Sequence, residues 1–422
     1  MKYLKKFQDK LKQSLANQFI RNLSWLGASE IIIRISRLLT TFVLARFLSK
    51  YDYGLAAIVL ATHEFVQVFS RNGIAAKLIQ ADAEELPELC DAAYWLNWVV
   101  FSALFVIQCL AAFPVAWFYG DNNLILPICA LGLTYLMIPF SNINSCLIRR
   151  ENRLQIRALA HTVGISTGNI LSLILAYLGM GIWAIVLPQI LVAPLWLYIY
   201  LIYQPWRPSR KFNIHRWKEI FDFGRSILGV ELLDTLRKNL DYLLIGRFLG
   251  ISQLGIYYFA FNAGLGISLS IISAIKSAIL PHLCSLRTDW YELQRQYYKS
   301  IKIIALIIIP VVLLQSNLAP FYVPIVFGEK WTEAIPILMI ICLSAIPRPF
   351  GDAASQLLVA LGRPDLDLRW NIIFTVIFTL SLLVGVQWQS MGVAVTVLVV
   401  HLVAIPGFTV WATRYAFKAS KI

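Results

Sequence analysis

Apolar residues in this chain come in long runs, separated by short clusters of charged residues, glycine and proline. A run of about 18 residues or more with few charges marks a helix that crosses a membrane, because about 20 residues at 1.5 Å each span the hydrocarbon layer. The pattern predicts twelve such spans, over residues 22–47, 53–70, 93–118, 124–147, 157–178, 181–203, 222–248, 253–279, 301–327, 334–361, 368–387 and 391–414. Several exceed the ~20 residues of a straight crossing, so tilt or extension beyond the bilayer is expected. Ahead of the first span, Leu4, Phe7, Leu11, Leu15 and Phe19 recur at helical spacing among Lys2, Lys5, Lys6, Lys10 and Lys12. Residues 1–21 are therefore expected to form an amphipathic helix on the anionic cytoplasmic leaflet. Without an apolar core ahead of a small-residue cleavage site, this segment does not read as a cleavable signal.

Composition agrees with that pattern. Of 422 residues, 59% are hydrophobic and only 14% charged, with mean hydropathy +0.68. A soluble domain carries roughly a quarter charged residues. The formal charge of +14 changes the picture only through its placement. With the N-terminus inside, cytoplasmic segments and both termini collect 27 Lys and Arg, against Lys50 and Lys330 outside. Arg149, Arg150, Arg153 and Arg157 follow the fourth span, and Arg207, Arg210, Lys211, Arg216, Lys218 and Arg225 follow the sixth. This asymmetry is how positive charge orients membrane proteins, so both termini are expected on the cytoplasmic side. No basic-aromatic module interrupts the apolar runs, which argues against nucleic acid as a partner. Cys90, Cys109, Cys129, Cys146, Cys284 and Cys342 form no CxxC pair and read as small apolar residues.

An internal echo organises the spans. Arg46-Phe47-Leu48 with Gly54 recurs as Arg247-Phe248-Leu249 with Gly255, and Glu30 recurs as Glu231, all at an offset of 201. Six helices followed by six similar ones is the arithmetic of a duplicated transporter. The expected domains are an N-terminal six-helix bundle over 22–203, a basic cytoplasmic linker over 204–221 and a C-terminal bundle over 222–422.

Ionisable residues inside the spans carry the functional signal, since each costs ~2.5–3.5 kcal/mol at mid-bilayer unless it faces protein or water. Glu30, Arg34, Arg37 and Thr41 lie on one face of the first span. The seventh carries Glu231, Asp234, Lys238 and Asp241 at similar spacing, with Arg237 one step aside. Arg348 and Asp352 lie in the tenth, where Pro347 and Pro349 break it, and Lys276 lies towards the inner end of the eighth. His63 and Glu64 sit mid-way along the second. The bland alternative is mutual neutralisation, for which Glu30–Arg34 and Arg348–Asp352 have good i, i+4 spacing. It accounts less well for Arg37, Arg237, Lys238 and Lys276. Bases narrowly outnumber acids, as expected of an anion site with embedded carboxylates. His161 and His401 read as packing residues. Walker A, GxSxG, metal-spaced and Rossmann motifs are absent, and the outer loops are too small for a catalytic domain, so an enzyme is not expected.

Six local motifs, in order, carry a family resemblance. They are Phe118-Tyr119-Gly120; Leu147-Ile148-Arg149-Arg150-Glu151-Asn152; Gly181-Ile182-Trp183-Ala184; Asn239-Leu240-Asp241-Tyr242-Leu243-Leu244-Ile245-Gly246-Arg247; Gly328-Glu329-Lys330-Trp331 with Ala334, Pro336 and Ile337; and Leu361-Gly362-Arg363. Over nearly its whole length the chain resembles the Wzx-type polysaccharide flippases, in the superfamily that also holds the MATE exporters and lipid II flippases. The resemblance implies two six-helix bundles around a central cavity that alternates between inward-open and outward-open states. It implies a bacterial cytoplasmic membrane protein with no cofactor. Its cargo would be an undecaprenyl-diphosphate-linked oligosaccharide destined for a surface polysaccharide, with membrane lipid, a polymerase and export machinery as partners. Substrate contacts are then expected at Arg34, Arg37, Arg237, Lys238, Lys276 and Arg348. Charge balance or ion coupling is expected at Glu30, Glu64, Glu231, Asp234, Asp241 and Asp352. A MATE-like exporter of organic cations that uses the acids instead, and a scramblase without saccharide specificity, are the competing readings.

Overall fold

The computed structural model describes the backbone of residues 18–70, 74–209, 216–286 and 289–418, and every regular element among them is helical. The expected amphipathic helix over 1–21 lies almost entirely outside the described residues. In chain order the helices are α1 (Gln18–Phe47), α2 (Lys50–Val68), α3 (Ile74–Gln80), α4 (Leu86–Tyr119), α5 (Ile125–Met137), α6 (Pro139–Arg150), α7 (Leu154–Tyr177) and α8 (Trp183–Leu191). They continue as α9 (Ala193–Tyr203), α10 (Trp217–Phe248), α11 (Ile251–Ser285), α12 (Trp290–Tyr322), α13 (Ile335–Leu343), α14 (Arg348–Ala360), α15 (Pro364–Gly385) and α16 (Gln389–Lys418). Each span expected from the sequence falls on one helix or on consecutive helical pieces.

Six helical stretches are long and apolar enough to cross a membrane, and the pair α5–α6, bent by 54°, makes a seventh. Leu110, Trp117, Leu306 and Leu314 leave large apolar side chains exposed along two of them, as lipid-facing surfaces do. The chain is a multi-pass, all-α membrane protein. α1, α2, α10 and α11 fall outside that apolar set, and they carry most of the intramembrane charge noted above.

Local chemistry places the helix ends. The Ser49 amide donates to the Asp52 carboxylate (3.0 Å) while the Asp52 amide donates to the Ser49 hydroxyl (3.1 Å), a capping box that starts α2. Asp289 caps α12 by accepting from the Glu292 amide at 3.0 Å. Gly120 ends α4 in the left-handed region at φ 71°. The fourth span, expected to be continuous over 124–147, is broken: α5 stops at Met137 and α6 begins at Pro139, where the missing amide of proline removes a helical hydrogen bond. The tenth breaks as its prolines require, between Leu343 and Arg348.

Two compact units emerge. One holds the described residues up to Leu48 with Val59–Leu232; the other holds Ser49–Ile58 with the described residues from Leu233 onward. In the first, α1 packs along α7, and α4 packs along α5 around Val66, Phe101, Leu104 and the fully buried Tyr135. In the second, α11 packs on α13 and α14, and α16 on α14 and α15. Its largest fully buried side chain among the described residues is Trp331, stacked on Phe259 at 3.9 Å and edge-on to Tyr53 at 4.9 Å.

Candidate functional site

In the first unit the charged face of α1 lies beside α7. Arg34 Nε donates to Glu30 Oε1 at 3.2 Å, so the pair expected at i, i+4 forms. Arg37 is exposed and makes no ion pair among the described residues. The polar stripe is stitched to α7 by Asn169 Nδ2 donating to Ser36 Oγ (2.8 Å) and by the Ser29 and Thr162 hydroxyls. His161, read from sequence as a packing residue, is instead exposed, and the charges of Arg157, Glu30 and Arg37 act on it.

A second polar chain in this unit runs through the apolar middle of α2, α4 and α5. His63 Nδ1 bonds Gln108 Oε1 at 2.9 Å, and Gln108 Nε2 donates to the Ile128 carbonyl at 2.7 Å. Tyr135 stacks on the His63 ring at 4.9 Å and donates its hydroxyl to the His63 carbonyl. Glu64, half-buried, follows on α2 with a polar or electrostatic partner of its own. Near the α5–α6 break, Asn142 donates to Asn97 Oδ1, while Asn97 Nδ2 and Ser141 Oγ are buried without a hydrogen-bond partner.

In the second unit the bases of α10 are largely neutralised. Asp234 accepts Arg237 Nη2 at 2.7 Å and Lys238 Nζ at 2.6 Å. Arg237 Nη1 also donates to Asn371 Oδ1 of α15 at 2.5 Å, with its guanidinium 5.8 Å from the Phe374 ring centre. One turn further on, the buried Asp241 carboxylate accepts the Tyr242 amide (3.0 Å) and the Tyr257 hydroxyl (2.9 Å).

Arg348 opens α14 and behaves differently. Its Nε is fully buried with no hydrogen-bond partner, and its guanidinium rests 5.9 Å from the Phe261 ring centre. The expected Arg348–Asp352 ion pair does not form. As the first residue after the break, Arg348 runs towards α10 and α11, where Asp241 supplies the largest favourable charge acting on it. Tyr242, edge-on to Tyr257, Tyr258 and Phe261, completes an aromatic wall at this position. Asp352 and Glu231 are half-buried and each has a partner of its own. Lys276 lies on α11, but its side chain falls outside the described ones.

The structure therefore sorts the expected residues. Arg34, Arg237 and Lys238 are held by carboxylates, while Arg37 and Arg348 make no ion pair among the described residues. Each of the six acids is engaged, three by the contacts above and Glu64, Glu231 and Asp352 by further partners. Sequence reasoning missed Gln108, Tyr257 and Asn371. The available signal was a lone amide inside an apolar run for Gln108; Asn371, close behind Asp367 and Arg369, and Tyr257 gave none.

Comparison with known proteins follows the same lines. The family described as "Polysaccharide biosynthesis protein" matches residues 43–336. The chain is 26% identical over 401 residues to the lipopolysaccharide biosynthesis protein WzxC of Escherichia coli K12, covering 92% of this chain and 80% of that one. It is 26% identical over 414 residues to the teichuronic acid biosynthesis protein TuaB of Bacillus subtilis 168, covering 96% and 84%. Among solved structures it superposes on the lipid II flippase MurJ, inward closed, with TM-score 0.72 at 11% identity over 93% of this chain and 87% of that one. An inward-facing MATE family transporter gives TM-score 0.70 at 16% identity, over 92% and 96%. The family match spans well over half the chain, and the chain belongs to the polysaccharide biosynthesis protein family.

Proposed function

We propose that this protein carries a polyprenyl-diphosphate-linked saccharide from the cytoplasmic to the outer leaflet of a bacterial cytoplasmic membrane, by alternating access of two six-helix halves with both termini inside. One observation carries the reading: among the expected site residues every described acid is engaged, while the cations Arg37 and Arg348, one in each unit, lack an ion pair. The Arg348 guanidinium, whose buried Nε has no acceptor, keeps part of the cost of its lost hydration. An incoming diphosphate lowers that cost, because its oxygens accept charge-assisted hydrogen bonds that the apolar wall cannot supply. The polyprenyl tail remains in lipid, so only the head group has to be sheltered. Outward movement of an anion from a negative interior gains ~2.3 kcal/mol per charge per 100 mV, which supplies a driving force.

The same observation weighs against a MATE-like exporter of organic cations, which needs carboxylates free to receive its cargo. The names of the relatives support a place in polysaccharide export, where a polymerase acts on the flipped repeat unit.

Deleting the gene is expected to leave lipid-linked repeat units accumulated on the cytoplasmic leaflet. In proteoliposomes loaded with such a lipid, Arg37→Ala and Arg348→Ala should each slow translocation by about tenfold or more, as loss of a charge-assisted contact of ~1.4 kcal/mol implies. Full-rate transport by both variants, folded in normal amount, would remove the reading.

A further inference from the structure

Helix α12 is longer than a bilayer needs. Its 33 residues reach about 50 Å, against ~30 Å of hydrocarbon. The excess lies at its start, where Tyr291, Arg295, Tyr298 and Lys302 recur at helical spacing on one face, with Lys299 beside them. All five side chains are exposed. The same face runs on into Leu306 and Leu313, which are exposed as well. One stripe of one helix thus passes from cations and phenol rings directly onto hydrocarbon side chains. Its nearest acid, Glu292, already accepts from Arg295 at 3.4 Å and from Gln296 at 2.6 Å. Lys299 and Lys302 make no ion pair among the described residues. The end of α16 braces this segment: Phe417 lies 5.8 Å from the Trp290 ring and 6.0 Å from the Tyr298 ring, and the Thr413 and Tyr297 hydroxyls meet at 3.1 Å. Arg414, one turn before Phe417, is a further exposed cation without an ion pair among the described residues. In the first unit the comparably long α4 opens instead with Glu88 and Asp91, just after Glu84 and Glu85. A basic start is therefore a property of α12 and not of every long helix that begins on this side.

We propose that the start of α12, braced by the end of α16, is a docking surface for an anionic phospholipid of the cytoplasmic leaflet. The inference takes only the orientation of the chain from the reading above. Lys302 directly precedes Ile303, the first exposed apolar residue of the stripe. The cations from Arg295 to Lys302 therefore fall at headgroup depth, where a lipid phosphate accepts their charge-assisted hydrogen bonds. Tyr298 sits at the same level, its ring towards the hydrocarbon and its hydroxyl within reach of water, as interfacial tyrosines do. The acyl chains then lie along Leu306 and Leu313. The five polar residues of the stripe include no amide and no carboxylate to receive saccharide hydroxyls, so the surface suits a phospholipid and not a sugar-bearing cargo. A phospholipid held there neutralises neighbouring like charges and fixes the depth of this end of the second unit. Because it binds the folded protein, it also stabilises it by mass action.

The test uses the full-length protein in mild detergent, mixed with dioleoylphosphatidylglycerol or dioleoylphosphatidylcholine. Bound lipid is counted by native mass spectrometry and Tm is followed alongside. The unmodified protein should retain phosphatidylglycerol in preference to phosphatidylcholine and gain Tm from the former alone. Lys299→Gln with Lys302→Gln should weaken phosphatidylglycerol binding by about tenfold or more, as loss of two basic residues at an anionic surface implies. Arg149→Gln with Arg157→Gln, an equal loss of exposed charge in the first unit, should leave it unchanged. If the lysine variant does not fold, salt decides on the unmodified protein, since screening should release phosphatidylglycerol. Equal retention of both lipids, equal loss in both double variants, or salt-independent binding would overturn the proposal. So would displacement of phosphatidylglycerol by an equimolar polyprenyl diphosphate, which would hand the surface to the cargo. A phosphatidylglycerol preference that depends on Lys299 and Lys302, in a protein that moves no lipid-linked saccharide, would uphold the surface and instead remove the proposed cargo.

Discussion

The hydroxyl of Tyr257 donates to the carboxylate of Asp241 at 2.9 Å, tying α11 to α10 through a side chain that is only 4% exposed. Removing the donor leaves an acceptor in a place where water cannot replace it. Tyr257→Phe should cost about 1–3 kcal/mol of stability, seen as a lower Tm of the detergent-solubilised protein. An unchanged Tm would mean that Asp241 finds another donor.

Asp234 holds Arg237 and Lys238 together, so its role is separable from cargo binding. Asp234→Ala should lower the folded amount in the membrane, at about 1–2 kcal/mol once partial exposure of the cations is discounted. Arg348→Ala should leave that amount unchanged while slowing transport. Quantitative immunoblots of membrane fractions beside a transport assay distinguish the two.

The segment leading into α10 is strapped to the start of α4. Arg216 donates to both carboxylate oxygens of Glu85 (2.9 and 3.3 Å), Trp217 Nε1 donates to the Ala92 carbonyl and the Ser209 amide donates to Asp91. Hydrogen bonding to Arg216, then its charge, holds the Glu85 carboxyl below the usual carboxylate range. A depressed pKa means that the strap's contribution is complete above the ordinary glutamate value and is lost as pH falls through the lowered one. The protection factor of the amides around Trp217, corrected for intrinsic exchange, should therefore fall at strongly acidic pH, and Glu85→Gln should make it low and pH-independent. A flat profile in the unmodified protein would rule the strap out.

Trp331 is fully buried against Phe259 and Tyr53. Trp331→Ala should cost about 3–5 kcal/mol and sharply reduce the protein recovered from membranes. Trp331→Phe should restore most of it.

Much of this was legible in the chain. Long apolar runs predict helices at the observed places because a backbone in hydrocarbon must satisfy its hydrogen bonds internally. Pro347 and Pro349 predicted the break before α14, whereas the break at Pro139 went unrecognised because the chain stays apolar on both sides of it, through Ile138 and Phe140. The Glu30–Arg34 pair followed from helical spacing alone. The expected Arg348–Asp352 pair did not, since a residue that opens a helix is not confined to its own helical face.

By itself, then, the sequence determined that this is a many-times membrane-spanning helical protein, and where its costly charges lie, because hydropathy and helical period are local properties. Which charges cancel was decided only in three dimensions. Arg237 reaches Asn371 across 134 residues, and His161 stands exposed among the charges of its unit instead of packing. Electrostatic pairing acts over a few ångströms, and no spacing along the chain encodes distances between helices. The meeting of Gly54 with Gly255 belongs to both levels: the repeat marks the pair, and only the fold reveals that each glycine makes room for the other's helix.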